Sequence, residues 1–294
     1  MPTGWTTTDA LDASLPSLVN EARTVQEQVG VMTQLAHRVR LGEGMGNTWK
    51  EVQYEKLTAS AITETTEEDN PQQLVDTPFS LTPQVISVHT IVTDRTARNI
   101  SKNAWAQTGK LGQNAIERKK DQDGLVILDG ATTSLGGAGT TLTSGHIAAG
   151  ATRVENNTTE PWSGPKAFVL HGYQMKDIFD ELVAGVGTYP LPSGPTANVF
   201  KGGFNLPIMD AAGFKDGNIT IDGSDDAKGG VFASGANGAI VLVQARAPWI
   251  KTVRNEKLGG GSTESLHRDE YAWGQRGPAD WLLELYSDAL APTS

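Results

Sequence analysis

From Trp49 to Leu57 charged residues alternate with apolar or aromatic ones, Trp49-Lys50-Glu51-Val52-Gln53-Tyr54-Glu55-Lys56-Leu57, the period-two pattern of a half-exposed strand. A second limb, from Phe79 to Val92, is rich in β-branched residues and reads as the return strand. Between them, residues 62–77 carry Glu64, Glu67, Glu68, Asp69 and Asp76 with no basic residue. The pattern predicts a two-stranded arm over residues 47–92 with an acidic tip. An isolated two-stranded ribbon is marginal in water, so a long one needs cover from elsewhere. The arm therefore predicts a partner, most simply a second copy of the chain.

Ahead of the arm, Ser14 and Pro16 open a helix whose apolar residues Leu18, Val19, Ala22, Val25, Val29, Met32, Leu35 and Ala36 recur at helical spacing. Gly42, Gly44 and Gly46 end it. After the arm, helix formers from Thr96 to Leu128 predict a long helix whose narrow apolar stripe lies across a sheet. Gly109 and Gly112 argue against its being unbroken. Its charged run, Glu117 to Asp121, reads either as a solvated face or as a basic dock for an acidic segment. Residues 131–150 are rich in Gly, Thr and Ser and suit a hinge or surface loop. Strands at 167–170, 206–209, 219–221 and 239–243, with a helix at 173–183, predict an α/β or α+β domain of roughly 110 residues. Strands at 249–253, 266–273 and 281–286 follow.

Composition narrows the class. A chain of 294 residues can bury a sizeable core. Its 38% hydrophobic content and 33 glycines describe a loop-rich, extended chain rather than a tight globule. A net charge of -10 argues against a surface built to grip nucleic acid, while leaving room for enclosing it without gripping it. With no cysteine there is neither disulfide nor thiolate metal site. The opening residues lack the basic and apolar regions of a signal peptide, and no apolar run approaches the roughly 18 residues of a membrane span. Synthesis in a cytoplasm and no membrane partner are expected.

Candidate chemistry adds little. His37, His89, His146, His171 and His267 are scattered, with no pair at the i, i+4 spacing that puts two ligands on one helical face. The glycine-rich run Gly136 to Thr141 lacks the lysine of a phosphate loop. Asp216-Gly217-Asn218 and Asp222 to Asp226 fit turns better than a calcium loop, since no glutamate closes the spacing. No G-x-S-x-G elbow is present, and nothing in the pattern brings two carboxylates together for acid-base work. No catalytic, cofactor-binding or metal-ligating residue is assigned, and the chain is not expected to be an enzyme.

The order of elements carries a resemblance. N-terminal helical arm, long hairpin, long helix, compact α/β domain, then returning strands is the order of tailed-bacteriophage major capsid proteins of the Hong Kong 97 fold. Asp76 to Gln84, running into Val92-Thr93-Asp94, resembles the return of that family's extended loop to its peripheral domain. Gln122 to Gly130 is similar to the end of its spine helix. Phe168 to Gln174 followed by Ile178 to Leu182 resembles the start of its axial domain, and Gly202 to Ile208 a later turn in it.

The resemblance implies an α+β chain divided into an N-terminal arm and helix (1–46), an extended β-hairpin loop (47–92), the spine helix of a peripheral domain (93–130), an α/β axial domain (131–248) and strands returning to the peripheral domain (249–294). It implies a major capsid protein that self-assembles through pentamers and hexamers into an icosahedral shell around double-stranded DNA, located in the virion. Portal and scaffolding proteins are implied as partners; only about 45 residues precede the arm, which favours a separate scaffold or none. Some members weld subunits through a lysine and an asparagine; Lys50 and Lys56 lie on the arm, with no identifiable asparagine partner. The acidic tip residues Glu64, Glu67, Glu68 and Asp69 are expected to approach a basic patch on a neighbour, either Arg118, Lys119 and Lys120 or Arg95 and Arg98. Exposed pairs of this kind contribute about 0–1 kcal/mol each and weaken with salt, so they would guide register more than hold a shell. The alternatives are an encapsulin-like protein compartment and a soluble enzyme built on the axial-type domain.

Overall fold

The computed structural model describes residues 26–65, 71–99, 102–186, 207–257 and 260–292. In chain order the strands are β1 (His37–Arg40), β2 (Trp49–Tyr54), β3 (Asp76–Leu81), β4 (Gln84–Thr93), β5 (Ser134–Gly136), β6 (Lys166–Leu170), β7 (Ala211–Lys215), β8 (Asp226–Ala233), β9 (Ile240–Asn255), β10 (Ser262–Gln275) and β11 (Leu282–Asp288). The helices are α1 (Met32–Leu35), α2 (Asp94–Asn99), α3 (Lys102–Asp129), α4 (Ser144–Glu155) and α5 (Gly172–Val186).

Helix α3 organises the rest. Its 28 residues span about 42 Å. Its buried positions Gly112, Ile116, Lys120, Asp121, Gly124, Leu125 and Leu128 recur every three or four residues and make one stripe. Along its length the helix meets β4 and β10 of a four-stranded sheet ordered β1-β9-β10-β4, and β8 and β11 of a five-stranded sheet ordered β5-β11-β8-β6-β7. Helix α3 runs unbroken through both glycines that argued against it. A Cβ on Gly112 would lie 2.6 Å from the ring of His267, and one on Gly124 3.0 Å from Met32 and Trp273. These glycines are there because the helix lies so close to its neighbours.

The five-stranded sheet is covered on both faces, which explains why β6 reads as a continuous apolar run rather than an alternating one. Ala167 and Val169 face the cluster that contains Leu125 and Leu128 of α3. Phe168 and Leu170 face Ile147 and Ala151 of α4 and Met175 and Ile178 of α5. Within β8, Cβ atoms on Gly229 and Gly230 would come 2.3 Å from the Val169 carbonyl oxygen and 3.0 Å from that of Leu283.

Several expectations are corrected. The helix expected across residues 14–36 is a single turn, α1, within the described residues, and residues 26–31 are irregular. The amides of Val31 and Met32 donate to the carboxylates of Asp216 and Asp121, so tertiary partners replace helical ones. Residues 37–40 then form β1, parallel to β9. The arm's return limb is two strands rather than one. It breaks before β4 at Pro83, which has no N–H for a ladder; β3 pairs with β2, while β4 pairs with β10.

The stretch 131–150, expected to be a loop, contains β5 and the start of α4. That helix is capped by Thr143 with His146 in the position usually held by Glu or Gln, their side chains 2.9 Å apart. The strand expected at 206–209 is displaced to Ala211–Lys215, because Met209 and Asp210 turn the chain with φ of 49° and 61°. Ile221 makes only a bridge to Ala227. The strands expected at 239–243 and 249–253 are one strand, β9, and β8 is additional. The last strand, expected at 281–286, is β11 and lies in the five-stranded sheet between β5 and β8. Residues 1–25 and 187–206, with the expected first helix turns and most of the Gly202 turn, lie outside the described residues.

The two helix glycines separate packing from propensity. Gly112→Ala is expected to cost about 1–3 kcal/mol through the clash with His267. Gly109→Ala, with nothing within 4 Å of the new methyl, should stabilise by about 0.5–1 kcal/mol. Urea denaturation of the chain measures both.

Candidate assembly surface

The arm is fastened at its base and bare beyond it. Strands β2 and β3 pair antiparallel from Trp49 opposite Leu81 to Tyr54 opposite Asp76. At the base, Trp49 and Phe79 meet edge to face with centroids 6.0 Å apart, and they pack with Leu81 on Leu41, Val241 and Val243. A Cβ on Gly274 would strike Leu81 at 2.4 Å, so β10 also needs a glycine where the arm crosses it. Arg276, 8% exposed, donates to both oxygens of Glu51 at 3.0 and 3.1 Å and to the Gly238 carbonyl. Both contacts to Glu51 come from Nη1, while Nε and Nη2 hold the Gly238 carbonyl, so one buried guanidinium ties the base of the arm to the turn between β8 and β9. His37 lies near this pair; its pKa is lowered, first by burial and then by the Arg276 charge.

Further out the holds thin. Gln53 donates to Glu160 at 2.8 Å and Lys56 to the Thr158 carbonyl at 2.9 Å. Lys50 is exposed. The ribbon closes with the Glu55 amide on the Val75 carbonyl at 3.1 Å. The described residues past Tyr54 and before Asp76 form no strand, and Val52, Tyr54, Leu57, Ile62, Leu74 and Val75 are all exposed. Six large apolar side chains along one projecting element form a surface that its own chain leaves uncovered.

The charged residues singled out in the sequence fall into three groups. Glu64 is exposed beside the arm tip, while Glu67, Glu68 and Asp69 lie outside the described residues. Arg95 and Arg98 are exposed on α2, and neither has an ion pair among the described residues. Arg118, Lys119 and Lys120 are engaged within the chain: Arg118 pairs with Glu27 at 3.0 Å, Lys119 with Asp123 at 2.5 Å, and Lys120 with Asp269.

Lys120 and Asp269 are a tertiary joint that sequence reading missed, because a lysine in a charged run reads as solvated. Their side chains are 6% and 0% exposed. Asp269 also accepts from Gln244 at 2.6 Å and from the Glu270 amide at 2.8 Å. This anchors the irregular register of β10 against β9 between Arg268 and Tyr271. Lys120 also sits over the Tyr271 ring, 5.1 Å from its centroid, and the Tyr271 hydroxyl donates to Asp123 at 2.8 Å. Burial first, and that hydrogen bond second, hold the Tyr271 phenol well above its ordinary value.

No group of three or more histidines, acids or cysteines suited to a metal occurs among the described residues. No described helix is long and apolar enough to cross a membrane.

Neither a family model nor a curated protein matches the chain. Solved structures do. The structure headed Mycobacterium phage Che8 superposes with a TM-score of 0.69 at 15% identity, covering 97% of this chain and 96% of that one. The head structure of Helicobacter pylori bacteriophage KHP40 gives 0.70 at 11% identity, covering 92% and 94%. This chain has the phage capsid fold. The holo-SrpI encapsulin complex of Synechococcus elongatus PCC 7942 shares it, at a TM-score of 0.65 and 11% identity over 99% of both chains. The α+β architecture expected from the order of elements is therefore the architecture found, and the match runs the length of the chain rather than through one domain.

Breaking the buried pair inside this capsid fold has a clear expected cost. Lys120→Ala should lose about 3–5 kcal/mol by leaving Asp269 buried without its cation, while Lys120→Met with Asp269→Leu should recover most of it. Thermal and urea unfolding of the three proteins tests this, with equal stability of the single and double variants contradicting it.

Proposed function

We propose that the chain is a major capsid protein that self-assembles through pentamers and hexamers into an icosahedral shell enclosing double-stranded DNA, and that its role is structural rather than enzymatic. The observation that carries this is the projecting arm: a firmly based ribbon with an uncovered apolar surface, on a chain that matches capsid subunits from end to end. On this reading the arm of each subunit lies over its neighbour, and many modest contacts repeated by symmetry close the shell. Helix α3 serves as the spine of a peripheral domain, with the five-stranded sheet as the centre of the axial domain. Portal and scaffolding proteins are its further partners, DNA is enclosed without sequence-specific binding, and its place is the virion.

The acidic tip is read as docking on Arg95 and Arg98 of a neighbour. What favours these two over Arg118, Lys119 and Lys120 is that the latter already hold carboxylates of their own chain.

An encapsulin-like compartment is the second reading, favoured by the encapsulin among the matching structures. Electron microscopy of the expressed chain, with or without a scaffold, should show closed shells, tubes or capsomer rings; a strict monomer at high concentration would contradict both readings. Nuclease-resistant DNA inside particles purified from the natural source supports the virion, and a protein cargo without DNA supports the compartment.

Charge reversal at the tip gives a second test. Glu67→Lys with Glu68→Lys should impair assembly most at low salt while leaving subunit melting unchanged, and Arg95→Glu with Arg98→Glu in the same chain should restore it in part. Normal shells from the first variant would sink the docking role.

A further inference from the structure

A second buried feature of helix α3 lies one residue beyond Lys120. Asp121 and Asp216 are 2% and 0% exposed, and they come from helix α3 and from the turn after β7. Each of their four oxygens accepts an N–H from a neutral group. Asp121 Oδ1 takes the Met32 amide at 3.0 Å and Oδ2 takes the Asn218 side chain at 2.9 Å. Asp216 Oδ2 takes the Val31 amide at 3.1 Å and Oδ1 takes the Asn218 amide at 2.9 Å. The two carboxyls thus grip consecutive amides of the segment that leads into β1, and Asn218 bridges them, its amide on Asp216 and its side chain on Asp121. Two carboxylates held this close out of water repel when both are ionised, which favours keeping one proton on the pair.

The cations that α3 carries beside the pair are engaged by other partners. On α3, Arg118 pairs with Glu27 and Lys120 with Asp269, while Glu117 lines the same cavity as Glu27 and Asp121. From the 26–31 segment only Glu27 carries a charge. Beside Asp216 stand Lys215 and His171; burial lowers the His171 pKa first, against the raising effect of the Asp216 charge. Gly30 completes the joint, because a Cβ there would lie 2.1 Å from the Asp121 carboxyl carbon. The segment fits only when drawn down onto the pair.

We propose that Asp121 and Asp216 form a proton-dependent clasp on residues 26–32. With one proton between them the pair holds Val31 and Met32; with none, two buried like charges repel and the segment is released from helix α3. The proton thereby sets how firmly the chain ahead of β1 is tied to the spine helix and to the β7 turn. The clasp is a property of the single subunit and stands independently of shell assembly.

The direction with pH follows from the folded and unfolded values. Burial first, and the adjoining Asp216 second, raise the Asp121 pKa from 3.8 to about 7. A carboxyl raised on folding favours the closed form fully below its unfolded value, and this advantage declines as pH climbs to the folded value. The clasp is therefore tightest in mild acid and weakest above neutrality.

Hydrogen exchange of a peptide covering residues 28–35, corrected for the intrinsic pH dependence of exchange, reads this directly. Protection of Val31 and Met32 should fall at least about tenfold between about pH 5 and pH 8 in the natural chain and stay flat in Asp121→Asn. Equal protection at both pH values in the natural chain, or the same slope in Asp121→Asn, would overturn the clasp. Should that variant fail to fold, an infrared difference spectrum of the natural chain over the same range decides. A protonated-carboxyl band lost on raising pH, and missing in Asp216→Asn, supports the proposal; no such band refutes it.

Discussion

Helix α3 must lie flush on two sheets at once, and the constraint this imposes is desolvation. One continuous stripe of the helix, from Gly112 to Leu128, is removed from water whatever side chains it carries. Where the stripe meets glycine, at positions 112 and 124, the helix backbone comes within reach of His267, Met32 and Trp273. Where it meets charge, each charge needs a compensating group, since an ion left alone in that environment costs several kcal/mol. Lys120 finds Asp269 on β10, and Asp121 finds Asn218 and the amides of Val31 and Met32. The two residues point their compensation in different directions, one into the four-stranded sheet and one toward the five-stranded sheet and the segment before β1.

The arm obeys the opposite rule. Its base is half-buried and held by the Glu51–Arg276 pair and the Trp49, Phe79 and Leu81 cluster, so its root belongs to the body of the chain. Past Tyr54 the body offers few holds, and apolar side chains remain in solvent. A rigid root with an uncovered outer part suits an element whose cover comes from another molecule: the root lowers the ordering cost of binding, and the uncovered part supplies the area. The capsid fold found over the whole chain gives that arrangement its setting.

How much could be read without coordinates depended on the range of the signal. The arm's outgoing strand, β6, α5 and the long helix were legible because periodicity is local and each runs for a full period or more. The return limb was misjudged because β-branched residues on both sides of Pro83 read as one strand, whereas a single missing N–H divides them between two sheets. The helix expected before β1 had the right spacing but lost its amides to carboxylates 89 and 185 residues away. The start of α4 was hidden by a histidine serving where a glutamate is usual.

The candidate surface divides the same way. Charge along residues 62–77 and the apolar alternation of the arm were visible as soon as the residues were read, because an uncovered element must declare its surface in its own sequence. That Lys120 is buried while Arg95 and Arg98 are exposed was not visible, since all three are cations in helical surroundings. The sequence by itself determined which faces are apolar, where an arm projects and in what order the elements follow. Only the tertiary structure decided which strand joins which sheet and which charges are free, because pairing and desolvation depend on groups more than a hundred residues apart: Lys120 with Asp269, Glu51 with Arg276, Val31 with Asp216.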